Sequence, residues 1–141
     1  MALDVGDVRI GVALSDPLGI IAQPHSVIAV KSPRADVDAI QNLIHDTETK
    51  CLVVGIPLNQ EGKPGPQANK VLAFVELLKK SISIEIVMQD ERFSTAAAQR
   101  ELIAAGVRRK ARKGIIDKAA AQRILETFLD RRAHEHRAQQ S

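Results

Sequence analysis

The stretch LDVGDVRIGVALSD, residues 3–16, decides the fold because it combines strand-forming apolar residues with three aspartates. Apolar β-formers lie on both sides of Gly6-Asp7, a pair typical of a tight turn. The pattern therefore predicts a hairpin with strands over about Ala2–Val5 and Arg9–Leu14. Asp4 does not fit this pattern, because aspartate is among the residues that strands reject most strongly.

Asp4 needs a compensating partner if its strand is central to the sheet. A buried carboxylate without such a partner costs roughly several kcal/mol. One explanation is a turn in which Asp4 bonds the backbone near Gly6. The other is a bound cation, which is the strongest reason to hold an acid at such a place.

The rest of the chain predicts the element order β-β-β-α-β-α-β-α-α. Such an order is typical of an α/β protein with a mixed central sheet, its first three strands antiparallel, and helices packed on it. We expect one domain over residues 1–141, with a charged tail from about residue 131. The further strands are predicted at His25–Val30, at CLVVGI (51–56) and at SISIEIVM (81–88), and the helices at 34–48, about 71–78, about 94–105 and about 116–128.

The composition is that of an ordinary globular protein, with 45% hydrophobic and 26% charged residues in 141. We expect no membrane span, because the unbroken apolar runs are only a few residues long. The first residues do not resemble a secretory signal, and the single cysteine, Cys51, excludes an internal disulfide. We therefore expect a cytoplasmic protein in which Cys51 is a small buried hydrophobe.

Positive charge is concentrated near the C-terminus. Residues 107–141 contain ten Lys or Arg and four Asp or Glu, whereas residues 1–106 contain ten and thirteen. A basic block of this kind is typical of contact with phosphate backbones, although a solvated helix end has the same composition. With three Phe and no Trp or Tyr, base stacking is not expected. The block consists of Arg108, Arg109, Lys110, Arg112 and Lys113.

Two further acids are candidates to join Asp4. Glu91 follows the last predicted strand, at the end where open α/β sheets place their sites, although a surface pair with Arg92 would also explain it. Asp117 precedes Ala120, Ala121 and Ile124, so it shares the helix face that packs on the sheet. It could instead cap that helix, because aspartate is frequent at helix N-termini.

Three converging carboxylates would suit Mg²⁺ or Mn²⁺, because these cations prefer hard oxygen ligands. Such cations activate water and stabilise the leaving oxygen of a phosphodiester. Arg9 and Arg92 lie close in sequence to two of the acids and, with the basic block, are candidates to bind flanking phosphates. Acids for metal and basic residues for the backbone are the parts of a nuclease. A non-catalytic RNA-binding or ribosome-binding factor remains the alternative.

Four ordered blocks resemble the motifs of the bacterial YqgF family, also described as RuvX-type Holliday junction resolvases and as pre-16S rRNA nucleases. The blocks extend from Leu3 to about Asp130 and read LDVGDVRIGVALSDPLG, VVGIPLNQEGKPGPQA, DERFSTAAAQREL and RKARKGIIDKAAAQRILETFLD. The loop within the second block, Ile56–Ala68, could contact phosphate, act as a lid or simply connect two elements.

The resemblance implies a ribonuclease H-like fold with metal-binding, catalytic acids at Asp4, Glu91 and Asp117. It also implies processing of the 5′ end of pre-16S rRNA during ribosome biogenesis, with structured RNA as substrate and the ribosome as a possible partner. The alternative substrate is branched DNA. Junction resolvases act as dimers, so a homodimer would favour that reading and a monomer would favour RNA.

Overall fold

The computed structural model describes residues 1–91 and 109–140, with side chains described for 1–91 and 119–139. Five strands form one sheet in the order β3-β2-β1-β4-β5. The strands are β1 (Ala2–Val5), β2 (Arg9–Ser15), β3 (Ala22–Ala29), β4 (Cys51–Ile56) and β5 (Glu85–Asp90). The helices are α1 (Pro33–Thr47), α2 (Pro66–Ser81) and α3 (Arg109–Gln140).

The sheet is mixed, as the element order predicts. Strand β1 is antiparallel to β2, and β2 is antiparallel to β3, whereas β1, β4 and β5 are parallel. The predicted hairpin is correct, and its turn closes through the Gly6 amide, which donates to the Arg9 carbonyl at 2.9 Å. A Cβ on Gly6 would lie 2.7 Å from that carbonyl oxygen, so glycine is required at this turn.

Different residues cover the two faces of the sheet. Helices α1 and α2 pack on one face against bulky side chains such as Leu3, Ile10, Leu52 and Val54. Helix α3 packs on the other face, where the sheet contributes mainly small residues and the helix contributes larger ones. These residues are Ala2, Ala13, Ala22 and Val53 from the sheet and Ala121, Ile124 and Leu125 from the helix.

Several predicted element bounds are wrong. Strand β3 begins at Ala22 rather than His25 and includes Pro24, which is tolerated because β3 is an edge strand. Helix α2 begins at Pro66 rather than at about residue 71. The strand predicted at 81–88 begins at Glu85, because α2 continues to Ser81 and the Ile82 amide still donates to the Leu78 carbonyl at 2.8 Å. Helix α3 is longer than predicted at both ends, running through the charged segment after residue 130. The helix predicted over about 94–105 lies outside the described residues. None of the described helices is long and apolar enough to cross a bilayer.

The start of α3 also rules out one explanation of Asp117, namely that it caps the N-terminus of this helix. The sequence predicts separate helices over about 94–105 and about 116–128, with the two glycines of GVRRKARKG between them, but from Arg109 onward this segment is helical and Gly114 lies within α3. Arg, Lys and Ala are good helix formers, and they outweigh the cost of about 1 kcal/mol for one internal glycine. Asp117 therefore lies eight positions inside the helix, where it cannot be the N-terminal cap.

Candidate nuclease site

Asp4 lies in the centre of the sheet, at the carboxyl end of β1. It is half-buried and pairs with Gly11 of β2. Side chains alternate along a strand, and Ala2 belongs to the cluster under α3, so Asp4 is directed to the α3 face. Because the Gly6 amide bonds Arg9, the backbone closes the neighbouring turn itself. Asp4 is therefore positioned by the sheet.

Glu91 lies at the same end of the sheet as Asp4, where the parallel strands have their carboxyl ends. It follows β5 immediately, as the sequence predicts. Its amide donates to the Ile56 carbonyl at 2.9 Å, which holds the residue beside the end of β4. The Glu91 side chain lies directly over Gly55, because a Cβ placed on Gly55 would be only 2.6 Å from Glu91 Cγ. The parallel register pairs Leu3 with Val54, so Gly55 is the next position beside Asp4. The two acids thus flank Gly55 on one face of the sheet.

Gln89 connects Glu91 to helix α3. The side chain is 3% exposed, and its Nε2 donates to Glu91 Oε1 at 3.0 Å and to the Ile124 carbonyl at 2.9 Å. Both partners are acceptors, which fixes the orientation of the amide. Its Oε1 is buried and has no hydrogen-bond partner among the residues described. Gln89 is not among the site residues predicted from the sequence.

Arg9 lies at the edge of the sheet that carries the two acids. Strand β2 is antiparallel to β1, so its first residue lies where β1 ends. Arg9 alternates with Ile10, which packs in the cluster under α1 and α2, so Arg9 is directed to the α3 face with Asp4. It is half-buried. Of the basic residues predicted to bind phosphate, Arg9 is the one whose side chain is described.

Helix α3 brings its amino-terminal part toward the same edge. Ile124 lies over Gly55, while Phe128 and Arg132 line a groove at the opposite edge together with Cys51. Helix α3 therefore runs from the end of the sheet that carries Asp4 and Glu91 to the opposite end, where β4 begins. Position 117 lies two turns before Ile124, about 10 Å along the axis and on the same helical face.

The remaining predicted site residues are described in part or lie outside the description. Arg92 and Arg108 lie outside it. Four others lie in the first turns of α3 with their backbone described and their side chains outside the description: Arg109, Lys110, Arg112 and Lys113. The side chain of Asp117 is likewise outside the described residues. Of the three predicted acids, the structure therefore places the side chains of Asp4 and Glu91.

The donor set at this edge suits a hard divalent cation. Asp4 lies beside Gly55 in the sheet and the Glu91 side chain lies over Gly55, and carboxylate oxygens are the ligands that Mg²⁺ and Mn²⁺ prefer. Within residues 1–91 and 119–139, no three His, Cys, Asp or Glu side chains are grouped to hold a metal. A third acidic ligand would come from position 117, whose side chain is outside that range.

The loop between β4 and α2 is tightly bonded to itself. Asn59 Oδ1 accepts from the amides of Glu61 and Lys63 at 3.0 and 2.9 Å. The amide of Gly62, a residue of the loop considered above for phosphate contact, donates to the Asn59 carbonyl at 2.9 Å. Gly62 has a φ of 80°, which a residue with a side chain rarely adopts. The Gly62 amide is thus engaged in forming the turn.

Two sequence signals could have identified the residues that were missed. An isolated glycine in an apolar strand, Gly55 in CLVVGI, often marks close approach of another group. Gln89 is a polar residue at an inward position of β5, two residues before Glu91. Alternation places both on one face, but the carbonyl of Ile124, 35 residues away, cannot be inferred from local pattern.

A structural comparison identifies the fold. The fold is similar to that of T. thermophilus RuvC in complex with Holliday junction substrate, with a TM-score of 0.52 at 15% identity and 92% of each chain covered. This similarity confirms the predicted ribonuclease H-like fold.

The chain belongs to the RuvX family. The family profile, described as "Holliday junction resolvase", matches residues 1–131. A relative from Halothermothrix orenii is 48% identical over 92% of this chain and 93% of its own, and one from Clostridium botulinum is 45% identical over 92% and 95%. Both are named "Putative pre-16S rRNA nuclease". The family confirms the prediction of a nuclease, an enzyme that hydrolyses phosphodiester bonds.

Proposed function

We propose that this nuclease cleaves structured RNA of the pre-16S rRNA type in a reaction that depends on Mg²⁺ or Mn²⁺. The observation that carries the proposal is the pair of acids, Asp4 and Glu91, flanking Gly55 at one edge of the sheet. The names of relatives at 45–48% identity support an rRNA precursor as substrate. We further propose that the protein works in the cytoplasm, in contact with ribosomal precursors.

The roles of the acids follow from their positions. Asp4 is held by strands on both sides, so it can act as a rigid oxygen ligand. Glu91 reaches over β4 from the end of β5, and Asp117 would add a third oxygen ligand from α3. A bound Mg²⁺ or Mn²⁺ would supply an activated water and stabilise charge on the leaving oxygen.

Basic residues would hold the substrate beside the acids. Arg9 is directed to the face that carries Asp4, where a guanidinium can bind a phosphate oxygen through two hydrogen bonds. The first turns of α3 lie toward the same edge and contain four of the basic residues. With Arg92 and Arg108, they would follow the nucleic-acid backbone on both sides of the cleaved bond.

A side-by-side cleavage assay tests this function. The purified protein is offered a precursor rRNA fragment and a four-way DNA junction, each with Mg²⁺, with Mn²⁺ and with a chelator. We expect cleavage of the RNA with either cation and none with the chelator. An Asp4→Asn variant should bind the RNA with similar affinity but cleave little of it. Equal cleavage with the chelator would contradict the proposal.

A second candidate substrate is the Holliday junction, which the description of the matching family profile favours. Resolution of a symmetric junction requires two active sites related by a twofold axis. A stable homodimer that cuts the DNA junction faster than the RNA would establish this alternative. A protein that binds RNA tightly but cleaves neither substrate would instead be a docking factor.

A further inference from the structure

We infer that Gln89 is a positioning residue that holds the Glu91 carboxylate for cation binding and locks it to helix α3. The inference rests on the function proposed above. Gln89 does not itself touch the cation or the substrate in this assignment. It acts through Glu91, whose Oε1 lies 3.0 Å from Gln89 Nε2.

The hydrogen bonds of Gln89 favour this role over simple packing. A buried amide normally satisfies both of its ends. Here Nε2 serves two acceptors, Glu91 Oε1 and the Ile124 carbonyl, while Oε1 is buried and has no partner among the described residues. The side chain thus directs its protons to Glu91 and α3 in an orientation that gives its oxygen no partner among the described residues.

The connection reaches the third acid as well. Ile124 lies two turns after Asp117 in α3. The hydrogen bond from Gln89 to the Ile124 carbonyl therefore helps to hold this part of α3 in place against β5. Gln89 therefore links Glu91, at the end of β5, directly to the helix that carries Asp117, in addition to the apolar packing of α3 on the sheet. Residues that orient metal ligands in this way typically change metal affinity about 10- to 100-fold when replaced.

The chain provides a matched control for the experiment. Gln122 Nε2 donates to the Ala22 carbonyl at 3.1 Å, so it also fastens α3 to the sheet, but between the helix and β3. The structure gives Gln122 no bond to Glu91. Replacing Gln89 or Gln122 by Met removes one such link at nearly constant side-chain volume. Only the first replacement removes the donor to Glu91.

The test measures Mn²⁺ binding by the full chain without nucleic acid, using calorimetric titration. Gln89→Met should weaken Mn²⁺ binding about tenfold, and Gln122→Met should leave it unchanged even if it lowers the melting temperature. In a Glu91→Gln background, adding Gln89→Met should cause no further loss. If Gln89→Met does not fold, Gln89→Asn keeps the amide but shortens its reach, with the same expected loss.

Each outcome separates this inference from the proposed function. Wild-type affinity in Gln89→Met, together with weakened binding in Glu91→Gln, overturns the role of Gln89 and leaves the cation site standing. Equal losses in Gln89→Met and Gln122→Met also overturn it, because any loosening of α3 would then suffice. A further tenfold loss in the Glu91→Gln background shows action independent of Glu91. Absence of Mn²⁺ binding by the wild type overturns the proposed function itself.

Discussion

The two faces of the central sheet are covered by side chains of different size. On the face under α1 and α2, the sheet contributes Leu, Ile and Val residues that are almost completely buried. On the α3 face, it contributes mainly alanines, and Gly11 and Gly55 occupy the positions beside Asp4. Burying a large aliphatic side chain contributes roughly 1.5–3 kcal/mol, so the first face supplies more of the stability.

The small residues of the α3 face serve another purpose. They let a helix approach the sheet closely and leave room for carboxylates between them. Gly55 shows this directly, because a Cβ there would meet both Glu91 and Ile124. The face that contributes less apolar burial is therefore the one that carries the candidate site. Substitutions on the two faces should have different consequences.

The largest effect is expected from the acids of the α3 face. Asp4→Asn and Glu91→Gln should each reduce cleavage roughly a thousandfold, because each removes an oxygen ligand worth several kcal/mol in the transition state. Single-turnover cleavage of precursor RNA measures this loss, and the melting temperature should change little. Asp38→Asn, an exposed acid on α1, is the control and should cleave normally. Full activity in either site variant would remove that residue from the site.

The next largest effect is expected on stability, from a substitution in the core under α1 and α2. Ile40 of α1 is fully buried in the larger core, so Ile40→Ala should lower the free energy of unfolding by about 2–5 kcal/mol. Urea denaturation measures this change. Asn42→Ala, at an exposed position of the same helix, should alter it by less than about 0.5 kcal/mol. Under conditions where both variants are folded, cleavage should be near the wild-type rate. A large loss of cleavage in folded Ile40→Ala would contradict the division of roles.

A smaller change on the α3 face should affect activity more than stability. In Gly55→Ala the new Cβ would lie 2.5 Å from Ile124 Cδ1 and 2.6 Å from Glu91 Cγ. We expect about 1–3 kcal/mol of destabilisation and about a tenfold loss of cleavage, since Glu91 must move.

A second substitution separates those two effects. Gly55→Ala with Ile124→Val removes the methyl carbon of the closer contact and should recover much of the stability. It should not recover cleavage, because the contact with Glu91 remains. Recovery of both quantities together would mean that the displacement of Glu91 is unimportant.

Local pattern was sufficient to predict the framework of this fold. The hairpin follows from strand-forming residues on both sides of Gly6-Asp7, and β4 follows from the continuous apolar run of a buried strand. The position of Glu91 just past the end of a strand follows in the same way. These inferences depend on residues within a few positions of one another, whereas the approach of Glu91 to Asp4, 87 positions earlier, is expected only from the fold.

The details of the site depend on contacts that local pattern does not contain. The bond from Gln89 to Ile124 spans 35 positions, and the fit of Glu91 over Gly55 spans 36. The sequence does not predict that α3 begins as early as Arg109, because a glycine such as Gly114 is typical of a helix end. The flanking Arg, Lys and Ala residues favour helix and outweigh it. Long-range contacts thus set the geometry of the acids within a framework that local sequence predicts.

The smallest effect on cleavage is expected from Asp16, an aspartate that follows β2 at the end of the sheet away from Asp4 and Glu91. Asp16 Oδ1 accepts from the amides of Ile20 and Ile21 at 2.7 and 2.8 Å. The backbone hydrogen bond from Ile21 is the main cause that lowers the pKa of Asp16. Unlike Asp4, this acid is fully explained by its own loop, so Asp16→Asn should leave cleavage unchanged.

The lowered pKa of Asp16 gives a pH dependence of known sign. Because the folded-state pKa lies below its ordinary value of 3.8, the stabilisation is present above that value and disappears as pH falls through the folded pKa. The gap in urea stability between wild type and Asp16→Asn should therefore be constant well above pH 3.8 and should narrow as the pH is lowered below 3.8. Asp38→Asn provides the comparison for general acid effects. A gap that stays constant as the pH is lowered below 3.8 would show that the Asp16 carboxylate contributes nothing through its charge, and the contrast with Asp4 would then rest on position alone.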